Sequence, residues 1–274
     1  MKKFKKIITI GLSVICTAVL LAGCGGSGNT SQNGQGSQDT LEKVKKSGVL
    51  KVGLEDSFPP MEFRDSQNKL QGFDIDMANA IAKKMGVKAQ FISTEFNGIV
   101  LALKSGKFDT IISGMSITDD RKKQIDFSKP YVENYQIIVT KSGNSSVKSS
   151  KDLDGKRVGV GLGTTSEQVV KKFKNIKEVK KYDKTTEELQ DLLIGRLDAV
   201  VVDEPVGKYY ISKSNKKSQY NVLSEKLSKE PMGIGFKKGD KKLEAEVQKT
   251  FDELKKDGTM SKISTKWFGE DIYK

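Results

Sequence analysis

From residue 40 onward the chain shows two kinds of hydrophobic pattern in turn. Short apolar runs predict buried strands, and apolar residues at helical spacing predict amphipathic helices. In the first half the strands fall at residues 49–54, 91–93 and 110–113, and the helices at residues 75–85 and 99–103, which Gly86 and Gly106 follow. This order of strand, helix and strand favours a mainly parallel sheet covered by helices.

The same order begins again after Gly143. Strands are predicted at residues 157–161, 176–179 and 199–202, and helices at two capping-box patterns, Thr164 with Glu167 and Thr185 with Glu188. The first of these helices is expected to continue through Phe173. A second α/β lobe is therefore predicted, with the boundary between the lobes near residues 140–151.

The C-terminal region has a different pattern. One helical stripe is formed by Leu243, Val247, Phe251 and Leu254, before Gly258, and residues 260–267 predict a second short helix. We interpret the stripe as part of a hydrophobic core and not as a cofactor-binding motif. Periodicity alone does not assign these helices to either lobe.

Composition narrows the chemistry that the chain can perform. The 274 residues are 36% hydrophobic and 30% charged, which is typical of a soluble chain long enough for two cores. The sequence has no histidine, which excludes Ser-His-Asp and Cys-His catalysis and most zinc sites. Both cysteines, Cys16 and Cys24, lie near the N-terminus, so the remainder has no disulfide and no thiol nucleophile. We expect neither a metal nor a cofactor.

The chain is strongly basic, with a formal net charge of +13. Nucleic-acid binding is one interpretation of such a charge. The lysines are scattered in pairs over nearly every predicted helix, however, and the sequence has no recognisable nucleic-acid-binding motif. We therefore interpret them as a solvated surface and expect no nucleic-acid partner.

The N-terminus has the features of an export signal at residues 1–23. Four lysines within the first six residues precede an apolar run at residues 7–21, which is short for a membrane span. The run ends in Leu21-Ala22-Gly23-Cys24, which resembles the lipobox of bacterial lipoproteins. The resemblance implies cleavage before Cys24 and a lipid on its sulfur; an ordinary signal peptide with a chance cysteine is the alternative.

The segment after the lipobox is polar and of low complexity. Residues 25–39 contain only Gly, Ser, Asn, Thr, Gln and one Asp. Such a segment does not bury apolar surface, so residues 24–39 are expected to form a flexible tether. These features predict an extracytoplasmic protein that is lipid-anchored to the cell membrane of a bacterium.

Candidate ligand-binding residues follow the predicted strands. In open α/β sheets, ligands bind beyond the carboxyl ends of the strands. The segments found there contain Glu55, Phe58, Phe96, Gly114, Ser116, Arg121, Thr164, Thr165 and Asp203.

These residue types together match one kind of small molecule. Arg121 offers a planar set of donors suited to a carboxylate, and the Thr164–Thr165 turn opens a helix whose free amides add anion contacts. Asp203 and the Ser116 hydroxyl can accept hydrogen bonds from an ammonium group, while the two phenylalanines can enclose a side chain. A carboxylate and an ammonium on one molecule describe an α-amino acid.

Each candidate also has an ordinary interpretation. An arginine that follows Thr-Asp-Asp is usually a surface ion pair, an aspartate after a strand is often a helix cap, and both phenylalanines suit a hydrophobic core. Their common position at strand ends favours the binding site.

Several motifs resemble a known family, the amino-acid-binding proteins of ATP-driven importers (solute-binding family 3). The motifs are Val52-Gly53-Leu54-Glu55-Asp56-Ser57-Phe58-Pro59-Pro60, Gly72-Phe73-Asp74-Ile75-Asp76, Ser113-Gly114-Met115-Ser116-Ile117-Thr118 with Arg121, Gly163-Thr164-Thr165, and Leu197-Asp198-Ala199-Val200-Val201-Val202-Asp203. The resemblance extends from about residue 40 to the C-terminus. It implies a type II periplasmic-binding-protein fold: two doubly wound α/β lobes joined by a two-strand hinge, with the ligand cleft between them.

The resemblance also implies lobe limits and residue roles. Lobe 1 would comprise residues 40–138 and 233–274, lobe 2 residues 139–232, and the hinge strands would lie near residues 136–141 and 232–237. Arg121 and Thr165 would hold the ligand carboxylate, while Gly114, Ser116 and Asp203 would hold its ammonium group. Phe58 and Phe96 would be the aromatic walls.

Two positions depart from the commonest family pattern, since many members have aspartate at position 55 and tyrosine at position 58. Glu55 lies where relatives contact the ligand side chain. An acid that faces two aromatic rings favours a cationic ligand through charge and cation–π attraction. The alternative is that the longer side chain points away or bonds a polar neutral ligand such as glutamine.

The sequence therefore predicts a monomeric protein that captures a free amino acid, with arginine, lysine, histidine or glutamine favoured, and delivers it to an ABC transporter permease. Two other classes stay open: an enzyme of the same fold, such as a small dehydratase that uses Glu55 as acid or base, and an extracellular sensor or adhesin.

Overall fold

The computed structural model describes residues 39–213 and 219–274, and these form two α/β lobes. The predicted signal peptide, the predicted lipidation site Cys24 and the predicted tether as far as residue 38 lie outside the described residues. Asp39, the last residue of that predicted tether, is the N-cap of the first helix. Its carboxylate accepts a hydrogen bond from the backbone N–H of Leu41 at 3.1 Å.

Strands and helices alternate along the described chain. The strands are β1 (Val49–Leu54), β2 (Ser57–Phe58), β3 (Glu62–Arg64), β4 (Leu70–Gln71), β5 (Lys88–Ser93), β6 (Thr110–Ile111), β7 (Ile125–Phe127), β8 (Tyr135–Lys141), β9 (Arg157–Gly161), β10 (Glu178–Tyr182), β11 (Ala199–Asp203), β12 (Tyr220–Lys229) and β13 (Gly235–Lys237). The α-helices are α1 (Thr40–Ser47), α2 (Phe73–Lys84), α3 (Ile99–Ser105), α4 (Asp119–Gln124), α5 (Thr165–Val170), α6 (Thr185–Leu193), α7 (Glu204–Lys213), α8 (Lys241–Lys256) and α9 (Thr259–Phe268).

The two lobes contain sheets of the same design. The first sheet has the order β5-β1-β6-β13-β7, and the second has the order β10-β9-β11-β8-β12. In each sheet three neighbouring strands are parallel, and the remaining two pair in antiparallel fashion. The prediction of parallel pairing is therefore confirmed for three strands of each sheet. A small antiparallel sheet, β2-β3-β4, follows β1.

The C-terminal helices pack on the first lobe. The predicted stripe of α8, together with Met260 of α9, is buried in the same cluster as Leu50 and Val52 of β1 and Ile81 of α2. The second lobe has two separate clusters, one on each face of its sheet. Phe58 packs against the first-lobe cluster and against one of the second-lobe clusters, so its ring contacts both lobes.

The chain crosses between the lobes in two adjacent segments. The backbone N–H of Glu230 donates to the carbonyl of Asn134 at 2.7 Å, and that of Met232 donates to Val132 at 2.8 Å. The predicted hinge residues 136–141 belong to β8 in the second sheet, and residues 235–237 form β13 in the first. The crossing thus involves residues 132–134 and 230–232, beside the predicted hinge strands, and the limits of the lobes stay a prediction.

Some local predictions were wrong. The helix expected to continue through Phe173 ends at Val170, and the strand expected at residues 176–179 lies at Glu178–Tyr182. Neither predicted capping box forms. The Glu167 carboxylate accepts from the N–H of Gly163 and not of Thr164, and α6 has Lys184 as its N-cap. Among the described residues, no helix has the length and hydropathy of a membrane span.

Close packing in the first sheet gives a test of the core. A Cβ atom added at Gly53 would lie 2.3 Å from the Phe108 ring. We expect Gly53→Ala to lower the free energy of unfolding by about 1–3 kcal/mol in urea titrations, because the buried ring must shift. Gly98→Ala is the matched control, since its Cβ meets nothing within 4 Å. Equal stabilities of the two variants would contradict this packing argument.

Candidate functional site

One cleft between the lobes collects all nine residues that the sequence nominated. Its lining contains Glu55, Phe58, Phe96, Gly114, Ser116, Arg121, Thr164, Thr165 and Asp203. The cavity volume of the cleft is about 30 Å³, which is room for roughly two water molecules and less than the volume of an amino acid.

Five further lining residues escaped the sequence analysis: Gly161, Leu162, Tyr182, Asp183 and Thr185. Tyr182 and Asp183 escaped because the strand before them was predicted to end at residue 179, whereas β10 continues to Tyr182. With the correct strand end, the same strand-end rule would have included both. Gly161 and Leu162 stand at the end of a correctly predicted strand, and Leu162 belonged to the segment inspected there, but neither side chain carries a group that indicated a ligand.

Arg121 is the buried cation of the cleft. It lies on α4, and only 8% of the residue is exposed. Its Nη1 donates to the carbonyl of Ser116 at 2.8 Å, its Nη2 donates to the carbonyl of Gly163 at 3.3 Å, and its guanidinium lies 5.2 Å from the centre of the Phe96 ring. The two bonds orient the planar group and leave its other N–H donors for a ligand.

Arg121 is not the surface ion pair that its sequence context allowed. The neighbouring acids Asp119 and Asp120 pair instead with the exposed Lys122 and Lys123. Burial lowers the pKa of Arg121 to about 10, against the opposing attraction of Asp203 and Glu230. Since that value is well above neutrality, the guanidinium stays charged and retains its affinity for an anion.

Asp203, the last residue of β11, supplies the opposite charge. Its Oδ1 accepts hydrogen bonds from the side-chain amides of Gln136, at 2.8 Å, and Asn134. Burial and, to a smaller extent, nearby Glu230 raise the pKa of Asp203 to about 7, while the two amides and Arg121 act in the opposite direction. Asn134 and Gln136 lie where the chain crosses between the lobes; the resemblance placed Gln136 in a hinge strand, but no sequence pattern indicated that either residue contacts Asp203.

The two lobes also meet through hydroxyl groups. Ser116 Oγ of the first lobe lies 3.4 Å from Thr165 Oγ1 of the second, which also accepts from Gln136 Nε2 at 3.1 Å. The Thr164 hydroxyl stabilises the turn in which it lies, since it donates to the carbonyl of Gly161 at 2.7 Å. A Cβ at Gly163 would approach the Asn97 backbone to 3.0 Å, so this turn tolerates little bulk against the first lobe.

Glu55 and Phe58 form the first-lobe wall of the cleft. One carboxylate oxygen of Glu55 accepts from the backbone N–H of Ser57 at 3.0 Å and from its hydroxyl. Burial raises the pKa of Glu55 to about 7, although both bonds from Ser57 lower it. Gly114, with φ of +48°, allows the Phe58 ring to lie against the backbone, because a Cβ there would approach the ring to 2.6 Å.

The cleft therefore has one guanidinium and several acids. Beneath it, the fully buried Glu188 has a pKa raised by burial and by Asp203. In the described ranges, 39–213 and 219–274, no group of three acids or cysteines is arranged to hold a metal ion. Chemically, the arrangement suits a small molecule that carries both a carboxylate and a cationic group.

Comparison with known proteins identifies the family of this chain. The family model for bacterial extracellular solute-binding proteins, family 3, matches residues 50–270. The L-cystine-binding protein TcyJ of Escherichia coli is 38% identical over 235 residues, which cover 85% of this chain and 88% of that protein. The L-arginine-binding protein of Pseudomonas aeruginosa is 33% identical over 231 residues, with 82% and 89% covered.

A solved structure shows the same fold. An ancestral arginine-binding protein bound to arginine superposes with a TM-score of 0.78 at 52% identity, over 81% of this chain and 99% of that one. The family match spans both lobes and every residue of the cleft. The chain therefore belongs to family 3 of the bacterial extracellular solute-binding proteins.

Proposed function

We propose that this protein captures a free α-amino acid in the cleft between its lobes. The observation that carries the proposal is the buried Arg121 guanidinium, oriented by two carbonyl groups and facing Asp203 across the cleft. Arg121 and Thr165 would hold the ligand carboxylate. The carbonyl of Gly114, the Ser116 hydroxyl and Asp203 would hold its ammonium group.

Charge favours a cationic side chain on the ligand. Glu55 adds an acid beside the Phe58 and Phe96 rings, and Arg121 is the only lysine or arginine among the described residues that line the cleft. A guanidinium or ammonium group there gains charge attraction and cation–π contact. Relatives named for arginine and cystine support an amino acid as the ligand, and the acids of this cleft favour arginine or lysine over neutral solutes.

Capture would proceed by closure of the lobes. A ligand that first binds Arg121 on the first lobe gains Thr165 and Asp203 of the second only when the lobes approach. It therefore shifts the equilibrium toward the closed state by its difference in affinity for the two states. The protein would act as a monomer and would bind its ligand without chemical conversion.

Delivery completes the proposal. The closed protein would dock on an ABC transporter permease, as its family implies. It would work outside the cytoplasm, lipid-anchored at Cys24 to the cell membrane of a bacterium, as the lipobox Leu21-Ala22-Gly23-Cys24 supports.

The first experiment is a thermal-shift screen of the chain from residue 39 against the common amino acids. A ligand at about a hundredfold its Kd stabilises the fold by about 2.7 kcal/mol, so we expect a clear shift with one or a few amino acids.

In Arg121→Ala the affinity by calorimetry should fall by roughly 30-fold or more, because the ligand carboxylate loses its buried charge partner. Lys123→Ala, an exposed neighbour on α4, should bind normally. An unchanged affinity in Arg121→Ala would overturn the proposed pose.

Glu55→Gln tests the ligand class. The exchange keeps the shape of the side chain and removes its charge, so affinity for arginine and lysine should fall by about tenfold relative to glutamine. Competition titrations with the three amino acids measure the ratio directly. An unchanged ratio would mean that Glu55 does not face the ligand side chain.

Affinity should also depend on pH through Asp203. Its pKa of about 7 in the free protein means that it is largely protonated below neutrality, whereas an ammonium partner favours the ionised form. Binding therefore releases a proton at low pH, and affinity should rise with pH and level off above about 7. Calorimetry across this range should show a flatter profile for Asp203→Asn, and a wild-type profile without slope would refute the assignment.

A further inference from the structure

Two fully buried carboxyl groups lie beneath the first-lobe wall of the cleft, outside its lining. Glu62 lies on β3 and Asp74 on α2, and neither residue has exposed surface. Within residues 39–213 and 219–274, no lysine or arginine pairs with either acid. The charged and titratable groups that act on them are each other, Glu55, Tyr131 and Tyr273. Hydrogen-bond donors and the N-terminal turn of α2, in which Asp74 lies, offset part of this charge, but no basic side chain of the described residues does.

The hydrogen bonds of the pair account for only one oxygen of each carboxyl group. Ser113 Oγ donates to Glu62 Oε1 at 2.7 Å, and Asp74 Oδ2 accepts from the Gly114 N–H at 2.7 Å and from the Tyr131 hydroxyl at 2.9 Å. The other oxygens, Glu62 Oε2 and Asp74 Oδ1, have no N–H or O–H donor. The two groups are neighbours in the fold, since the backbone N–H of Asp74 donates to the carbonyl of Met61, the residue before Glu62, at 2.8 Å. A proton held between the two carboxyl groups would give both of these oxygens a partner and would remove one of the two buried negative charges.

The pair is connected to the cleft through two consecutive residues. The Ser113 hydroxyl donates to Glu62 and accepts from the backbone N–H of Glu55 at 3.0 Å. Asp74 fixes the N–H of Gly114, whose left-handed backbone supports the Phe58 ring. The same carboxylate holds Tyr131, whose own N–H donates to Met232 at the lobe crossing at 2.9 Å.

We propose that Glu62 and Asp74 share one proton and act as positioning residues, which hold Glu55 and Gly114 in the geometry that binds the ligand. Neither acid contacts the ligand. The inference rests on the proposed function for its effect on affinity, but the shared proton exists independently of any ligand. Burial and the neighbouring acid raise the pKa of Glu62 well above its ordinary value, in agreement with Glu62 as the group that carries the proton.

The first test compares two substitutions of Glu62, with L-arginine as the calorimetric probe. A glutamine side chain at this position would accept from Ser113 and donate to Asp74, so Glu62→Gln should keep the affinity within about threefold of wild type. Glu62→Met has similar bulk but leaves the Ser113 hydroxyl and Asp74 without partners, so affinity should fall by about tenfold or more. Glu187→Gln, an exposed acid, is the control. Equal affinities of the Glu62→Gln and Glu62→Met variants would overturn the positioning role.

The second test detects the proton itself and needs no ligand. The infrared difference spectrum between wild type and Glu62→Gln, at neutral and mildly alkaline pH, should show one protonated carboxylic-acid C=O band that the variant lacks. The band should persist in Glu188→Gln, which removes another buried acid near the cleft whose pKa burial raises well above its ordinary value. Absence of the band would overturn the inference, whereas failure of every amino acid to bind the wild-type chain would overturn the proposed function alone.

Discussion

The buried guanidinium of Arg121 is the charge around which the cleft is arranged. A cation removed from water loses hydration, and this loss must be offset by nearby acceptors and negative charge. Here two backbone carbonyl groups, one from each lobe, accept its hydrogen bonds, and an aromatic ring lies against its face. Because Gly163 belongs to the second lobe, the position of the guanidinium depends on how far the lobes are closed.

The acids of the cleft interact electrostatically with this one cation. Asp203 and Glu55 line the cleft, and burial favours the protonated form of each. The amides of Asn134 and Gln136 keep Asp203 oriented at the lobe crossing. The result is a cleft whose electrostatic energy improves when a second cation enters, which a ligand ammonium or guanidinium group supplies.

The sequence anticipated the part of this arrangement that depends on local pattern. β1 and β9 have the predicted limits, and the strand-end rule nominated nine residues that share one cleft. It did not anticipate contacts made between distant segments. Strands as short as β7 and β13, with three residues each, show no recognisable alternation of apolar and polar residues, and their pairing is decided by tertiary packing.

Buried polar residues were the other gap. In the sequence, Glu62 and Asp74 are of a residue type that is usually exposed. Only the fold shows that both are buried, with Ser113 donating a hydrogen bond to Glu62 and Gly114 donating one to Asp74. Asn134 and Gln136 were missed for the same reason. A polar residue type by itself predicts exposure, so its burial is known only when the surrounding elements are in place.

The position of β13 has a consequence for the order in which the molecule can be assembled. In the first sheet β13 lies between β6 and β7, and among the described strands β7 pairs only with β13. Residues 235–237, which form β13, nevertheless follow all strands of the second sheet in the sequence. The second sheet, by contrast, is made from one continuous stretch of chain. A polypeptide that emerges from its N-terminus can finish the sheet of the later lobe first, while the sheet of the earlier lobe stays incomplete until residues 235–237 have emerged.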